Sequence, residues 1–288
     1  MTACKSGLTR NYMLKTSPKI SIVTPSFNQA EYLEETIKSV LSQNYPNLEY
    51  IIIDGGSTDG SVEIIKKYAD RLAYWVSEPD KGHGDALNKG FQHSTGEIMA
   101  WLNSDDLYFP WTLNAVSEIF SAHPEVEWLT TEKKIVVDKN GNETCRFIFL
   151  NFGRSGFKKG FYLPETVNCL QQESTFWRRS LWERAGGYIN HETIVPDYEL
   201  WSRFSDQAEI YSVTSSLAAF RKHEKQITNR LFKTCCDMSR QAFKEHVGHF
   251  PYKIYTLLPQ ILLKRPGLYY LFFRSKKRLI EYKNENTE

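Results

Sequence analysis

The chain has 288 residues, 41% hydrophobic and 24% charged, with a formal net charge of +2. That composition excludes a disordered chain, and the length suits one large domain, or one of ~230 residues with an appendage, around a sizeable core. Five cysteines without CxxC spacing, Cys4, Cys145, Cys169, Cys235 and Cys236, favour a reduced, cytosolic setting over a disulfide framework or a zinc site.

The opening stretch MTACKSGLTRNYMLK lacks the continuous apolar core of a signal peptide and is expected to be a loose leader. Residues 19–25 (KISIVTP) form a β-branched run of buried-strand type. In the following SFNQAEYLEETIKSVLSQ, Leu33, Ile37, Val40 and Leu41 recur at helical spacing. Residues 48–54 (LEYIIID) give a second strand that runs into GGSTDGS, and Val62, Ile64, Ile65 and Tyr68 suggest a second helix. A third strand over 72–77 and a third helix over 86–91 flank the loop EPDKGHGD. The fourth strand, 98–102, ends abruptly in Asn103, Ser104, Asp105 and Asp106, ahead of Pro110 where a helix could begin.

Strands alternating with helices at this spacing predict a mainly parallel, doubly wound sheet, in which ligands bind beyond the carboxyl ends of the strands. The polar clusters fall at those ends: residues 25–28, 54–57, 81–85 and 103–106. Two adjacent acids there repel each other and persist most easily with a bound cation or strong donors. Taken alone they are explained equally well as a helix N-cap. Independent caps, however, have no reason to collect at one edge of a sheet.

After a helix over 111–120 the pattern changes. Residues 127–131, 134–137 and 144–150 read as strands, the last two as a hairpin around DKNGN. NFGRSGFKKGFY (151–162) is either an acceptor-side flap or a surface connection. QQESTFWRRSLWERAGGY gives a short strand and a helix ended by Gly186 and Gly187. IVPDYELWSRF places Asp197 after Pro196 at a helix start, where the helix dipole alone would favour a carboxylate. Short strands over 210–213 and 217–220 precede Arg221 and His223. The absence of GxGxxG and of a P-loop signature argues against a dinucleotide dehydrogenase or a P-loop kinase.

The segments IVTPSFNQAEYLEETIKSVLSQNYPNLEYIIIDGGSTDGS and GDALNKGFQHSTGEIMAWLNSDD together resemble the nucleotide-sugar-binding half of the family 2 glycosyltransferases, which have the GT-A fold. The resemblance is close over residues 19–121 and looser through STFWRRSLWERAGGY and PDYELWSRF to Arg221. It divides the chain into a leader (1–18), a glycosyltransferase domain (19–228, with a nucleotide-sugar half 19–121 and an acceptor-side half 122–228) and a basic, aromatic helical extension (229–288). The fold it implies is α/β, a mixed, mostly parallel sheet flanked by helices.

The activity it implies is an inverting transfer of a sugar from a nucleoside-diphosphate donor, with UDP favoured, and a divalent cation, Mn²⁺ or Mg²⁺, on the diphosphate. Carried over by position, Pro25 and Phe27 line the base, Asp54 accepts hydrogen bonds from it, and Lys81 or Asp85 secures the nucleotide. Asp105 binds the metal. Asn103 stands where the family usually has the first Asp of Asp-x-Asp, and its amide can still bond a ribose hydroxyl. Asp106 lies behind them. Asp197 matches the general base, with Pro196 in place of the Glu often found before it, and a positioned carboxylate can take the proton that an attacking hydroxyl must lose. His223, in FRKH, completes the metal shell or contacts phosphate. The departures at Asn103 and Pro196 keep open a catalytically degenerate sugar-nucleotide-binding protein. A sugar nucleotidyltransferase is disfavoured, because TPSFNQAEY is not a basic, Gly-rich loop.

The charge is unevenly placed: residues 229–288 hold twelve Lys/Arg against five Asp/Glu, a balance of +7, so residues 1–228 carry −5. The longest uncharged run of the tail, 254–263, is far shorter than the ~20 residues of a membrane span. Its apolar side chains beside RPG and RSKKR suit contact with an anionic membrane surface through residues 251–278; packing on the domain is the other reading. No nucleic-acid partner is expected, because bulky aliphatics separate the basic residues. The expected setting is the cytoplasm, at the inner face of the cytoplasmic membrane, with a glycan or glycolipid acceptor such as a lipid-linked or surface polysaccharide precursor.

Overall fold

Burial on both faces is what turns the apolar runs into the centre of a sheet. In the computed structural model, which describes residues 17–151, 153–164, 170–226, 230–247 and 278–282, every residue of β1 (Ile20–Ser26) and β4 (Ile98–Trp101) is buried. So are all of β2 (Leu48–Asp54) but its first. Such strands have no solvent face, so alternation gives way to continuous hydrophobic sequence. β1 pairs in parallel with β2 on one side and β4 on the other, and β2 pairs in parallel with β3 (Tyr74–Ser77). The crossovers are α1 (Leu33–Leu41), α2 (Ser61–Lys67) and α3 (His83–Gln92). The four residues spaced helically in α1 are all buried, as the periodicity requires.

After β5 (Leu107–Tyr108) and α4 (Thr112–Ala122), the chain adds β6 (Trp128–Thr131), then the hairpin of β7 (Lys133–Val137) and β8 (Glu143–Ile148). The chain continues through α5 (Arg154–Lys158), β9 (Phe176–Arg178), α6 (Arg179–Arg184), α7 (Pro196–Gln207), β10 (Ile210–Val213) and β11 (Ala218–Arg221). The tail contributes α8 (Phe232–Val247) and β12 (Leu279–Ile280). The main sheet has the order β12-β10-β6-β9-β4-β1-β2-β3, and only β9 runs against its neighbours. A second sheet, β5-β11-β7-β8, lies beside it. This is the mixed, mostly parallel α/β sheet that the sequence predicts.

Two expectations change. The stretch 151–162 is neither flap nor surface connection where it is described, because it forms α5 and buries Phe157, Phe161 and Tyr162 in the main core. Clustered aromatics behave here as packing, not as a ligand face. The extension from residue 229 is also not separate in its described parts. α8 buries Cys235, Ala242 and Phe243, and β12 pairs with β10 as the outermost strand of the sheet. Most of the segment expected to meet a membrane lies outside the described residues. Its last residue, Arg278, bonds to Glu209 Oε2 at 3.1 Å. Among the described residues, no helix is long and apolar enough to cross a membrane.

Trp101, Trp177 and Trp201 are fully buried and pack on one another, Trp101 stacked on Trp201 with centroids 5.6 Å apart. They belong to the main core.

Candidate active site

Strand β4 delivers the acids. Past Trp101 the chain leaves the sheet and turns tightly, the Asp106 N–H donating to the Asn103 carbonyl. Asp106 is fully buried; its Oδ1 accepts from the Arg221 N–H at 2.9 Å and its Oδ2 from Asn103 Nδ2 at 3.3 Å. Burial, with the charges of Asp105 and Glu173, raises its pKa well above the carboxylate range. Asp106 is therefore a buried strut behind the site whose charged form is disfavoured. Asp105 stands forward of it, with Oδ2 2.9 Å from His223 Nε2.

Arg221 holds that pair in register. It is wholly buried, and its Nε donates to the Asp105 carbonyl at 2.8 Å, Nη1 to the Lys139 carbonyl at 2.9 Å and Nη2 to Glu35 Oε2 at 2.6 Å. One guanidinium thus joins the β4 turn, the β7–β8 turn and α1, two residues ahead of His223. Arg suits this place because its fixed fork serves several acceptors at once. The sequence offered FRKH, but a charged residue beside a strand end carries no signal of burial.

The other expected residues lie along the same edge. Pro25 is buried at the end of β1, and Phe27 just beyond it is 61% exposed. The Phe27 ring closes over Gly55, beside Asp80. Asp54 is fully buried, and four protein donors serve it: the N–H groups of Gly56 and Ser57 and the hydroxyls of Ser57 and Ser77. In this geometry Asp54 ties the 55–57 loop to β3 at the carboxyl end of β2. Asp85 accepts the Lys81 N–H at 3.1 Å and faces Lys89 Nζ at 3.7 Å, a tie within its own helix start. Lys81 is exposed.

Asp197 occupies the first turn of α7, following Pro196, which is tolerated there because its missing N–H has no intrahelical partner. Burial raises its pKa, opposed by hydrogen bonding to the Tyr198 N–H and by the charge of His83. His83, the first residue of α3, was not singled out from the sequence. Its Nε2 lies 3.0 Å from Asn103 Oδ1, and it feels the charges of Asp197, Asp105 and Asp80. Asn103 in turn donates through Nδ2 to Gln172 Oε1 at 3.1 Å. The structure thus brings Asn103, Asp105, His223 and Asp197 to one locality and adds His83, Gln172 and Glu173.

Glu173, in a 3₁₀ turn, is 2% exposed, and its Oε1 has no hydrogen-bond partner among the described residues. Burial, reinforced by the charges of Asp105 and Asp197, pushes its pKa up to about 8. The sign of the consequence is fixed. The fold holds this proton up to about 8, whereas the unfolded chain loses it near 4.5, so the folded state binds more protons across that window and stability falls as pH rises through it. Glu173→Gln has no proton to lose. Its melting temperature is expected to exceed that of the natural protein by a margin that grows between about pH 5 and pH 8. A margin independent of pH in melting curves would show that the folded carboxyl is already ionised.

The donor chemistry of the Asp105–His223 pair fits a divalent cation. No group of three or more His, Cys, Asp or Glu side chains among the described residues is arranged to hold an ion. One carboxylate and one imidazole are nonetheless apt for an ion that keeps water and substrate oxygens in its remaining positions, as Mg²⁺ and Mn²⁺ do.

The architecture is that of the GT-A glycosyltransferases. A family model described as "Glycosyl transferase family 2" matches residues 21–185, and the chain belongs to that family. An uncharacterized glycosyltransferase of Rickettsia typhi is 29% identical over 214 residues, which is 74% of this chain and 67% of that protein. Two solved structures share the fold. S. aureus TarS 1-349 in complex with UDP-GlcNAc has a TM-score of 0.61 at 16% identity, covering 90% of this chain and 77% of that one. The mannosyltransferase PcManGT from Pyrobaculum calidifontis, in complex with GDP-Man and Mn²⁺, has a TM-score of 0.59 at 20% identity, covering 87% and 71%. The protein is a glycosyltransferase.

Proposed function

We propose that the enzyme transfers a sugar from a nucleoside-diphosphate sugar, with UDP as the favoured nucleotide, to a hydroxyl acceptor with inversion. The observation that supports this reading is that Asp197 and Asp105, the latter paired with His223, both exert their charge on His83 and on Glu173, so they share one locality. Asp197 takes the proton of the acceptor hydroxyl as its oxygen bonds to the anomeric carbon. The bond from that carbon to the diphosphate breaks, and the nucleoside diphosphate leaves with the electron pair. A single base and a direct displacement invert the anomeric centre. Asp105 and His223 would hold Mn²⁺ or Mg²⁺, which when bound offsets the charge gathering on the diphosphate. Pro25 and Phe27 line the base side, Lys81 meets phosphate, and Asn103 lies towards the ribose and the sugar. That a fold neighbour was solved with UDP-GlcNAc, and another with GDP-Man and Mn²⁺, supports the donor class and the cation.

Nucleotide release across a panel of UDP-, GDP- and dTDP-sugars with Mn²⁺ or Mg²⁺ tests this, because slow hydrolysis reports donor use without the acceptor. Metal-dependent release from one donor supports the reading. Nucleotide binding without release in the presence of glycan acceptors favours a degenerate binding protein, and no binding at all removes the nucleotide-sugar site.

The acceptor class we propose is a lipid-linked or surface polysaccharide precursor at the cytoplasmic membrane face, on the strength of the +7 tail and its aromatic and aliphatic content. The full chain is expected to co-sediment with vesicles containing anionic lipid at low salt and to be released as salt rises. Equal recovery with neutral and anionic vesicles would remove the membrane from the proposal.

A further inference from the structure

The hydrogen bonds around Asn103 decide where His83 carries its proton. A backbone carbonyl only accepts, so the Gln172 atom 2.8 Å from the Trp101 carbonyl is the amide nitrogen Nε2. Gln172 therefore turns Oε1 towards Asn103, which answers with Nδ2 at 3.1 Å. Asn103 is left with Oδ1 facing His83 at 3.0 Å, so the imidazole donates through Nε2. Desolvation lowers the His83 pKa, and a neutral ring that donates through Nε2 has only a lone pair on Nδ1.

A carboxylate at position 103 could not transmit this order. It has no donor to offer Gln172 Oε1, and beside His83 it would favour the imidazolium. The amide that departs from the acid expected at this position is what the chain of bonds requires.

The backbone places the ring as deliberately. Gly82 has φ +108°, in the region that favours glycine, and a Cβ on Gly84 would come within 2.7 Å of His191 Cα. His83 is thus set between two positions that exclude side chains. Its ring is hemmed by protein yet solvent accessible, and lies within the fields of Asp197 and of Asp105.

We propose that His83 is a donor-binding residue whose Nδ1 accepts a hydrogen bond from a hydroxyl of the sugar nucleotide, with Asn103 as the positioning residue that sets its tautomer. This rests on the nucleotide-sugar reading of the site. A bare nitrogen lone pair repels phosphate oxygens and pairs with a hydroxyl, so the partner is on the ribose or on the transferred sugar.

Two measurements on the full chain test the proposal. Long-range ¹H–¹⁵N spectra with labelled histidine, assigned by the signal missing in His83→Gln, are expected to show His83 protonated on Nε2 alone near neutral pH. Asn103→Asp is expected to shift that signal towards the doubly protonated form. A natural protein carrying the proton on Nδ1 overturns the proposal. Calorimetry with UDP, 2′-deoxy-UDP and 3′-deoxy-UDP probes the ribose, and calorimetry with UDP-glucose and its monodeoxyglucose analogues probes the sugar. One analogue is expected to bind about tenfold more weakly than its parent, the scale of one hydrogen bond, and that gap is expected to close in His83→Ala. Which analogue it is names the hydroxyl. If His83→Ala weakens all of these ligands equally, or none, the proposal fails while the nucleotide site stands. If the natural protein binds none of UDP, GDP and dTDP, the nucleotide-sugar reading fails with it.

Discussion

Asp197→Asn is expected to slow sugar transfer by about 10²–10⁴-fold, the range spanned by a positioned general base, while nucleotide affinity stays near that of the natural enzyme. The amide keeps the size of the side chain and its place in the first turn of α7 but cannot take a proton. A pH profile adds a second readout. Burial raises the pKa of Asp197, so its basic form is depleted at pH values where a free aspartate would still be ionised. The rate should therefore rise with pH along an acidic limb displaced upwards from the ordinary carboxylate range. In the Asn variant that limb should vanish. An Asn variant with an unchanged rate would move the base elsewhere in the site.

Asp105→Ala is expected to lower metal-dependent donor turnover by about 10²–10³-fold, since a cation on the leaving diphosphate is worth several kcal/mol in the transition state and each 1.36 kcal/mol is tenfold. His223→Ala should act in the same direction, because its Nε2 sits 2.9 Å from Asp105 Oδ2. Their effects should be less than additive, as expected of two residues serving one ion. Titration of Mn²⁺ against release rate separates the outcomes. A raised half-saturating concentration marks a ligand, whereas an unchanged metal dependence with a lower rate would mean that the pair serves the fold and not the ion.

The two mutations probe residues that different elements deliver. Asp105 and His223 are joined through Arg221, whose guanidinium also reaches α1 and the β7–β8 turn. Asp197 arrives separately, on a helix that packs against α6 and α8. The Asp105–His223 pair is thus assembled from the β4 turn and the residues that follow β11, and Asp197 comes from the start of α7.

The strands, the helices and the edge at which the polar clusters gather were legible in the sequence, because each rests on a local pattern. Continuous apolar runs mark strands buried on both faces, and Leu33, Ile37, Val40 and Leu41 mark one face of a helix. Parallel order then puts every strand's carboxyl end on one side, so residues 25–28, 54–57, 81–85 and 103–106 had to meet. What a side chain does once there depends on neighbours distant in the chain. Asp54 carries the same charge as Asp105, but four donors from its own loop and from β3 enclose it. Asp106, adjacent to Asp105, is fully buried, and its pKa is raised by desolvation and by the charges of Asp105 and Glu173 although Arg221, 115 residues on, donates a backbone N–H to it. Glu173 and His83 gave no signal, since the burial of one and the long-range hydrogen bond of the other to Asn103 are not written in any local window. Periodicity and strand order therefore determined the fold and the location of the site. Only the tertiary structure decided which acids keep their charge and which polar atoms face a ligand, because desolvation and hydrogen bonding are set by contacts across the whole chain.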